Sequence, residues 1–197
     1  LVINTNSVIQ SLHTSIEAFT AVKRGARKGL PARGATGNPF NFYNTLASYL
    51  SGDIVKIGRA WKLSSVDHED GRITRVKGVG DMDVVVLRTF DKLNESREGG
   101  ILSSRFDAPL AFNTSDSRYN FVLDSVIVRD VRGKHFVSLL TCNGSQMGYD
   151  GAGLTSLKPF VWKALISSKR SWKLPGSPVT CSFAESYCEY IYYKTKA

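Results

Sequence analysis

Cysteine and long apolar segments are both scarce in this 197-residue chain. Its three cysteines, Cys142, Cys181 and Cys188, show no CxxC or CxxH spacing, which argues against a disulfide scaffold and against a structural zinc site. No apolar run approaches the roughly 18 residues that cross a membrane, and none resembles a signal peptide. We therefore expect a reduced, intracellular protein that has no membrane partner and buries Cys181 and Cys188 as small apolar side chains. Because residue 1 is leucine rather than methionine, we also expect the chain to be trimmed or partial.

Sequence signatures of enzyme active sites are also lacking. The three histidines, His13, His68 and His135, are widely spaced, and there is no GxSxG, HExxH or P-loop motif. Residues 148–153 (GYDGAG) resemble a dinucleotide fingerprint, but they lack the following helix that would bind a pyrophosphate. We interpret this segment as a flexible loop and expect a protein that is not an enzyme.

Acidic residues are missing from two parts of a chain whose formal net charge is +9. Residues 23–33 combine basic side chains with glycine and proline, which predicts a mobile cationic arm. Between Asp150 and Glu185 there are five basic residues and no acid. Two cationic regions favour nucleic acid as the partner, and a merely soluble basic protein is the alternative. The predicted nucleic-acid-binding residues are Lys23, Arg24, Arg27, Lys28, Arg33, Lys169, Arg170 and Lys173.

Residues 7–22 have the apolar spacing of an amphipathic helix, with Val8, Ile9, Leu12, Ile16 and Phe19 recurring at helical intervals. Such a helix would contact either a partner subunit or the surface of the protein's own domain. Together with the basic linker it defines an N-terminal arm, residues 1–50, ahead of a β domain, residues 51–197.

From residue 52 the pattern becomes that of short β-strands separated by turns. We predict about eight strands in an antiparallel jelly-roll sandwich. The expected strands are 55–63, 72–77, 84–87 (buried on both faces), a hairpin of 118–129 and 135–141, then 160–166 and 180–193. The expected loops are a polar turn at 67–71, a long loop at 91–117 with a helical turn inside it, and a glycine-rich loop at 143–155.

Two groups of residues allow a functional and a structural interpretation. The acids Asp67, Glu69, Asp70, Asp81 and Asp83 could hold a calcium ion between subunits, but a solvated acidic turn is favoured and no other cofactor is expected. Tyrosines near the C-terminus suit base stacking or packing, and core and subunit packing are favoured. The three tryptophans are expected to be core or interface anchors. These aromatic residues are Tyr187, Tyr190, Tyr192, Tyr193, Trp61, Trp162 and Trp172.

The order of these elements resembles that of single-jelly-roll viral coat proteins, the family of the satellite tobacco necrosis virus and small single-stranded DNA virus capsids. The likeness covers residues 50–197 and rests on four landmarks in sequence order. They are SGDIVKIGRAWKL (51–63), VVVLRTFDK (84–92), RYNFVLDSVIV (118–128) and an aromatic strand at 186–193. The arm departs from the family pattern, because an apolar helix precedes the basic stretch where a dense arginine-rich tail is usual.

The resemblance implies a structural protein whose copies tile a closed shell, found in the virion and assembled inside the host cell. The basic arm would contact the viral genome, for which single-stranded RNA is favoured over DNA. Three alternatives remain open: a viral movement protein that binds single-stranded nucleic acid, a lectin-like or hydrolytic β-sandwich, and a host nucleic-acid chaperone. Of these four functions, only the coat protein predicts closed particles.

Overall fold

The computed structural model describes residues 57–60, 66–69, 72–76, 82–91, 101–113, 119–132, 135–154 and 156–196. Of the first three ranges and of residue 196 it describes the backbone alone. Within these ranges the chain is mostly β-sheet, and the helical elements are two short 3-10 helices. In chain order they are β1 (Ile57–Ala60), β2 (Val66–Glu69), β3 (Arg72–Val76), β4 (Val84–Phe90), β5 (Ile101–Leu102), the first 3-10 helix (Ser103–Arg105), β6 (Ala111–Asn113), β7 (Tyr119–Arg129), β8 (Phe136–Cys142), β9 (Ser145–Tyr149), β10 (Lys158–Pro159), the second 3-10 helix (Lys163–Leu165) and β11 (Cys188–Lys196).

Three adjacent strands, β4, β11 and β7, form the centre of the sheet. β11 pairs antiparallel with β4 on one edge and with β7 on the other. The free edge of β4 is shared by β1 and β5, and both run parallel to it. Residues 85–90 of β4 are all buried, so this strand is covered on both faces, as its continuous apolar sequence predicts. We call β4, β11 and β7 the central ladder.

Along its other edge β7 pairs with two separate groups of strands. Its first half pairs with β6, and its second half pairs with β8. β6 continues through β3 to β2, whereas β8 continues through β9 to β10. The predicted hairpin of residues 118–129 and 135–141 is confirmed as β7 and β8.

A β-bulge keeps the apolar residues of β7 in the core. The register with β11 shifts between Ile191 and Tyr192, so that Ile191 pairs with Ser125 and Tyr192 pairs with Leu123. The carbonyl of the skipped residue, Asp124, accepts a hydrogen bond from the Thr141 hydroxyl at 3.0 Å. The buried positions change phase at this point, from Phe121 and Leu123 to Val126 and Val128.

The core lies on the face of the central ladder that carries alternate residues of β4, β7 and β11. Tyr190 and Tyr192 are 1% and 0% exposed, and Trp162 is 0% exposed, so the core-packing interpretation of these aromatic residues is confirmed. Tyr187 and Trp172 are also buried, Tyr193 is exposed, and Trp61 lies outside the described residues. All three cysteines are free, and Cys181 and Cys188 are buried in the core as expected. Burial raises the pKa of each of these two thiols to about 12.

Several predicted features are wrong. The sheet is mixed rather than antiparallel, because β1 and β5 pair parallel to β4 and β3 pairs parallel to β6. The expected glycine-rich loop contains β9, which pairs with β8 through a two-residue turn. The expected strand at 160–166 is replaced by the second 3-10 helix, the expected strand at 180–193 begins only at Cys188, and Asp67–Glu69 belong to β2 rather than to a turn. Residues 1–56, with the predicted helix and basic arm, and the acids Asp70 and Asp81 lie outside the described residues.

The tight turn between β8 and β9 follows directly from its two residues. Asn143 and Gly144 both have positive φ angles, 48° and 77°. A two-residue hairpin turn of type I′ requires this conformation at both central positions, and Asn-Gly is its preferred sequence. This dipeptide is therefore the sequence signal for β9, although the glycines that follow it suggest a loop.

A buried ion pair crosses the central ladder on the face opposite the core. Arg88 of β4 and Glu189 of β11 are direct cross-strand partners, 8% and 2% exposed, with 3.8 Å between Nε and Oε1. Tyr187 joins them: it accepts a hydrogen bond from Arg88 Nε at 2.9 Å and donates one to Glu189. Burial, followed by the Glu189 charge, raises the pKa of Tyr187 far above its ordinary value, so this phenol stays protonated.

We predict that Glu189→Gln lowers the free energy of unfolding by about 3–5 kcal/mol, because removing one charge of a buried ion pair is strongly destabilising. Urea denaturation at neutral pH measures this change. Glu185→Gln is the matched control, because Glu185 is exposed and its replacement should change stability by less than about 0.5 kcal/mol. Equal unfolding midpoints for the two variants would contradict a structural role for the pair.

Candidate nucleic-acid interface

The basic residues predicted near residue 170 lie on an exposed segment that is anchored at both ends. The second 3-10 helix leads into buried Ile166, and Trp172 is held by two backbone hydrogen bonds with Cys181, at 2.8 and 2.9 Å. Between and beyond these anchors Lys169, Arg170 and Lys173 are exposed. The alternation of buried and exposed residues therefore displays the predicted cations on the surface.

Lys169 lies between two adjoining cavities at the end of the central ladder. The smaller has a volume of about 320 Å³ and is lined by residues 103–107, 166–169 and 183–184. The larger has a volume of about 500 Å³ and is lined by residues 90–91, 102, 104, 129–132, 169 and 184–185. Ser104, Lys169 and Ala184 belong to both linings. Both volumes lie in the range of about 300–1,000 Å³ that is typical of ligand sites.

The wall of the smaller cavity is fixed by serine hydroxyls. Ser103 donates to the Ser186 carbonyl at 2.6 Å and lies 2.7 Å from the Thr89 hydroxyl, which ties the first 3-10 helix to β4. Ser167 donates to Asp107 at 2.9 Å and so joins the Lys169 segment to the residues after that helix. Arg105 and Ser104 are exposed beside these fixed hydroxyls.

The larger cavity has an apolar floor and a charged rim. Phe90 and Leu102 supply the floor, and the half-exposed Val131 forms part of the wall. Arg129 is held in place by an ion pair with Asp91, and its guanidinium lies 5.7 Å from the centre of the Tyr187 ring. Tyr187 also contacts Phe90 edge to face, so the residue that bridges the buried ion pair supports this floor as well.

The two cavities differ in net charge and in how many of their charged side chains already have partners. The smaller cavity has Arg105 and Lys169 against a single acid, Asp107, whose carboxylate accepts the Ser167 hydrogen bond. In the larger cavity three basic and three acidic residues balance, but Asp91 pairs with Arg129 and Asp130 accepts the His135 amide at 2.9 Å. Among the described residues, Arg105, Arg132 and Lys169 make no ion pair. The smaller cavity is thus net positive.

A second polar cluster joins His135, Asp150 and Ser177. Asp150 is 0% exposed and accepts hydrogen bonds from Ser177 Oγ at 2.6 Å and the Ala152 amide at 3.0 Å. His135 Nε2 lies 2.5 Å from Oδ1 of the same carboxylate. Burial alone would raise the pKa of Asp150, but these hydrogen bonds and the His135 charge outweigh it and hold the pKa below its ordinary value.

This cluster stabilises neighbouring turns, and it does not place Ser177 as a nucleophile activated by His135. The Ser177 hydroxyl donates to Asp150 and is not directed at His135, so the histidine is not placed to take the serine proton. The Asp150 carbonyl also accepts the amides of Gly153 and Leu154. Of residues 148–153, expected to be a flexible loop, the first two end β9 and the rest form an ordered turn closed by a buried carboxylate.

We predict that Ser177→Ala destabilises the protein at neutral pH by about 1.5–3 kcal/mol, the usual loss for a hydrogen bond to a charged group. Because the pKa of Asp150 is lower in the folded protein than in the unfolded chain, where it is about 3.9, its ionised carboxylate stabilises the fold at pH values above about 3.9. This stabilisation is lost as the pH falls through the pKa of the folded state. The difference in free energy of unfolding between wild type and Ser177→Ala should therefore shrink below about pH 4. Chemical denaturation from pH 2.5 to 7 measures it, and Ser104→Ala, an exposed serine, is the control. A pH-independent difference would contradict the assignment.

The basic residues predicted from the sequence make up only part of the basic lining of the two cavities. Of the predicted residues, Lys169 lines both cavities, Arg170 and Lys173 are exposed outside them, and Lys23, Arg24, Arg27, Lys28 and Arg33 lie outside the described residues. Sequence reasoning missed Arg105, Arg129 and Arg132. Arg129 and Arg132 are near each other in sequence, but sheet topology alone brings them to the cavities that Arg105 and Lys169 also line, so no local signal could have identified the set.

Among the side chains that the structure describes, no group of three His, Cys, Asp or Glu residues could hold a metal ion. Within the described part of the chain no helix is long and apolar enough to span a bilayer. Comparison with protein-family models and with curated protein sequences finds no match to this chain.

Proposed function

We propose that this chain is a structural coat protein that assembles into a viral capsid and packages nucleic acid through its basic N-terminal arm. The observation that carries the proposal is an apolar stripe on an edge of the β domain. Contiguous exposed apolar side chains on a sheet edge are typical of protein contact sites, and a second copy of the chain is the partner that symmetric assembly would supply.

The stripe follows from the alternation of residues 157–162. Lys158 and Pro159 form β10, which pairs in the described sheet with β9 alone. Leu157 and Val161 are 40% and 67% exposed, with exposed Pro159 between them, while Trp162 is fully buried. We call Leu157, Pro159 and Val161 the edge stripe. Tyr149, 38% exposed, follows Gly148, the partner of Lys158, and extends the apolar surface onto β9.

The proposal also includes a jelly-roll sandwich for the β domain. Its support is the division of the sheet at β7, where one edge is shared by β6 and β8. Strands divide in this way where a sheet passes from one layer of a sandwich to the other. The parallel pairs of β4 show that such a sandwich would carry additions to the usual antiparallel order.

Nucleic acid as the cargo is supported by charge. The chain has 26 basic and 17 acidic residues, and the exposed Lys169, Arg170 and Lys173 lie in a segment without acids. Lysine and arginine neutralise phosphates without reading sequence, which suits a protein that must enclose a whole genome. The genome is proposed to be single-stranded RNA, with DNA as the alternative.

We predict that Val161→Asp, alone or with Leu157→Asp, stops assembly, because a buried unpaired carboxylate at a subunit contact is strongly unfavourable. Negative-stain microscopy and sedimentation velocity should show monomers or small oligomers in place of uniform particles. Leu110→Asp is the matched control, because Leu110 is 53% exposed but lies outside the edge stripe. Uniform particles from Val161→Asp would remove the edge stripe from the assembly surface.

We predict that alanine at Lys23, Arg24, Arg27 and Lys28 lowers the nucleic acid carried by particles while the melting temperature changes little. Four lost phosphate contacts should reduce the salt slope of log Kobs for single strands by about 2.8. The ratio of absorbance at 260 and 280 nm on purified particles measures the cargo, and a Lys-to-Arg and Arg-to-Lys exchange at the same positions is the control. An unchanged ratio refutes packaging by the arm. A small monodisperse wild-type protein that binds single strands would instead favour a movement protein.

A further inference from the structure

We infer that the two adjoining cavities at the end of the central ladder bind one nucleotide of a single-stranded nucleic acid, the phosphate in the smaller cavity and the base in the larger. This inference rests on the proposed packaging of nucleic acid and names where the β domain would contact the strand.

The smaller cavity has the chemistry of a phosphate site. Arg105 and Lys169 are both exposed in its lining, and the only acid of that lining, Asp107, already accepts the Ser167 hydroxyl. The Ser104 hydroxyl is exposed beside them and supplies a further donor. Two cations and a hydroxyl around a cavity of about 320 Å³ match the charge and hydrogen-bond acceptors of a phosphodiester.

The larger cavity has the chemistry of a base site. Phe90, Leu102, Val131 and Ala184 offer apolar surface to the flat face of a base. The rim holds acceptors and a donor for base edges, since Glu185 and Arg132 are exposed there. A cavity with balanced charge attracts a free phosphate poorly, whereas a base carries both donors and acceptors and no net charge.

The connection between the cavities explains why one ligand would fill both. Ser104, Lys169 and Ala184 line each of them, so a group bound in one is in direct contact with the residues of the other. In a duplex the base is stacked and paired and cannot enter a separate cavity. The site therefore favours single strands.

The experiment measures the fluorescence anisotropy of a labelled 12-nucleotide oligothymidylate as the protein is added. The protein is the full chain with alanine at Lys23, Arg24, Arg27 and Lys28, so that binding by the arm does not mask binding at the cavities. In this background Arg105→Ala with Lys169→Ala should weaken binding and lower the salt slope by about 1.4, the value for two phosphate contacts on a single strand. Lys158→Ala with Lys163→Ala removes the same charge outside both cavities and should leave the slope within about 0.3 of the parent.

A second variant separates the base from the phosphate. Ala184→Leu enlarges a side chain that lines both cavities without changing charge, and it should weaken binding of the oligothymidylate several-fold but binding of inorganic tripolyphosphate, which needs only the smaller cavity, to a lesser extent. A duplex of the same length should bind more weakly than the single strand and respond little to Ala184→Leu. Circular dichroism confirms that each variant is folded.

The outcomes separate this inference from the proposed function. Equal losses in the Arg105 and Lys169 variant and in its charge-matched control would overturn the cavity site, and so would an Ala184→Leu protein that binds the oligothymidylate normally. In either case, particles that still carry nucleic acid with an intact arm would leave the coat-protein proposal standing. Wild-type protein that neither forms particles nor binds single strands would overturn both.

Discussion

The structure depends on the burial of both faces of the central ladder. Cross-strand partners share a face, so Leu87 and Tyr190 lie on the core side while Arg88 and Glu189 lie on the other. Burying the second face encloses a charge pair, and such a pair is tolerated only if its hydrogen bonds are satisfied. Tyr187 contributes to this requirement by bonding to both side chains.

Tyr187 also links this constraint to the cavities. Its ring receives the guanidiniums of Arg88 and Arg129, at 5.5 and 5.7 Å from its centre, and its carbonyl accepts the Arg129 amide at 2.9 Å. Phe90 and Phe136 contact the same ring edge to face. The floor of the larger cavity is thus built on the buried polar network.

Local sequence patterns predict a strand correctly where the strand's own residues determine its position. The continuous apolar run of β4 and the hairpin of β7 and β8 could be read from the sequence, because burial on two faces and a polar turn each leave a local signature. The β9 strand was missed even though Asn143 and Gly144 specify its turn, because the later glycines outweighed them. The bulge at Asp124 breaks the period-two pattern, and only the register with β11 explains it.

The parallel pairs and the cavities could not have been predicted in this way. β5 and β6 have two and three residues, too few for a periodic signal, and the parallel partner of β6, which is β3, is distant in sequence. The cavity arginines come from three places: Arg105 from a 3-10 helix, Arg129 from the end of β7 and Arg132 from the turn after it. The composition of the sequence indicates that the surface is positively charged, but only the topology of the sheet brings these arginines close to Lys169.

Under the proposed function the arm and the cavities would contribute affinity of different kinds. Phosphate contacts by an arm depend steeply on salt and are indifferent to base stacking. An apolar base cavity is insensitive to salt but admits only an unpaired nucleotide. One such cavity binds weakly, yet a closed shell repeats it in every subunit along one continuous strand, so each bound nucleotide raises the effective concentration of the next. Selection of single-stranded cargo would then arise from many weak base contacts in the assembled shell, while the arm supplies the electrostatic attraction that gathers the strand.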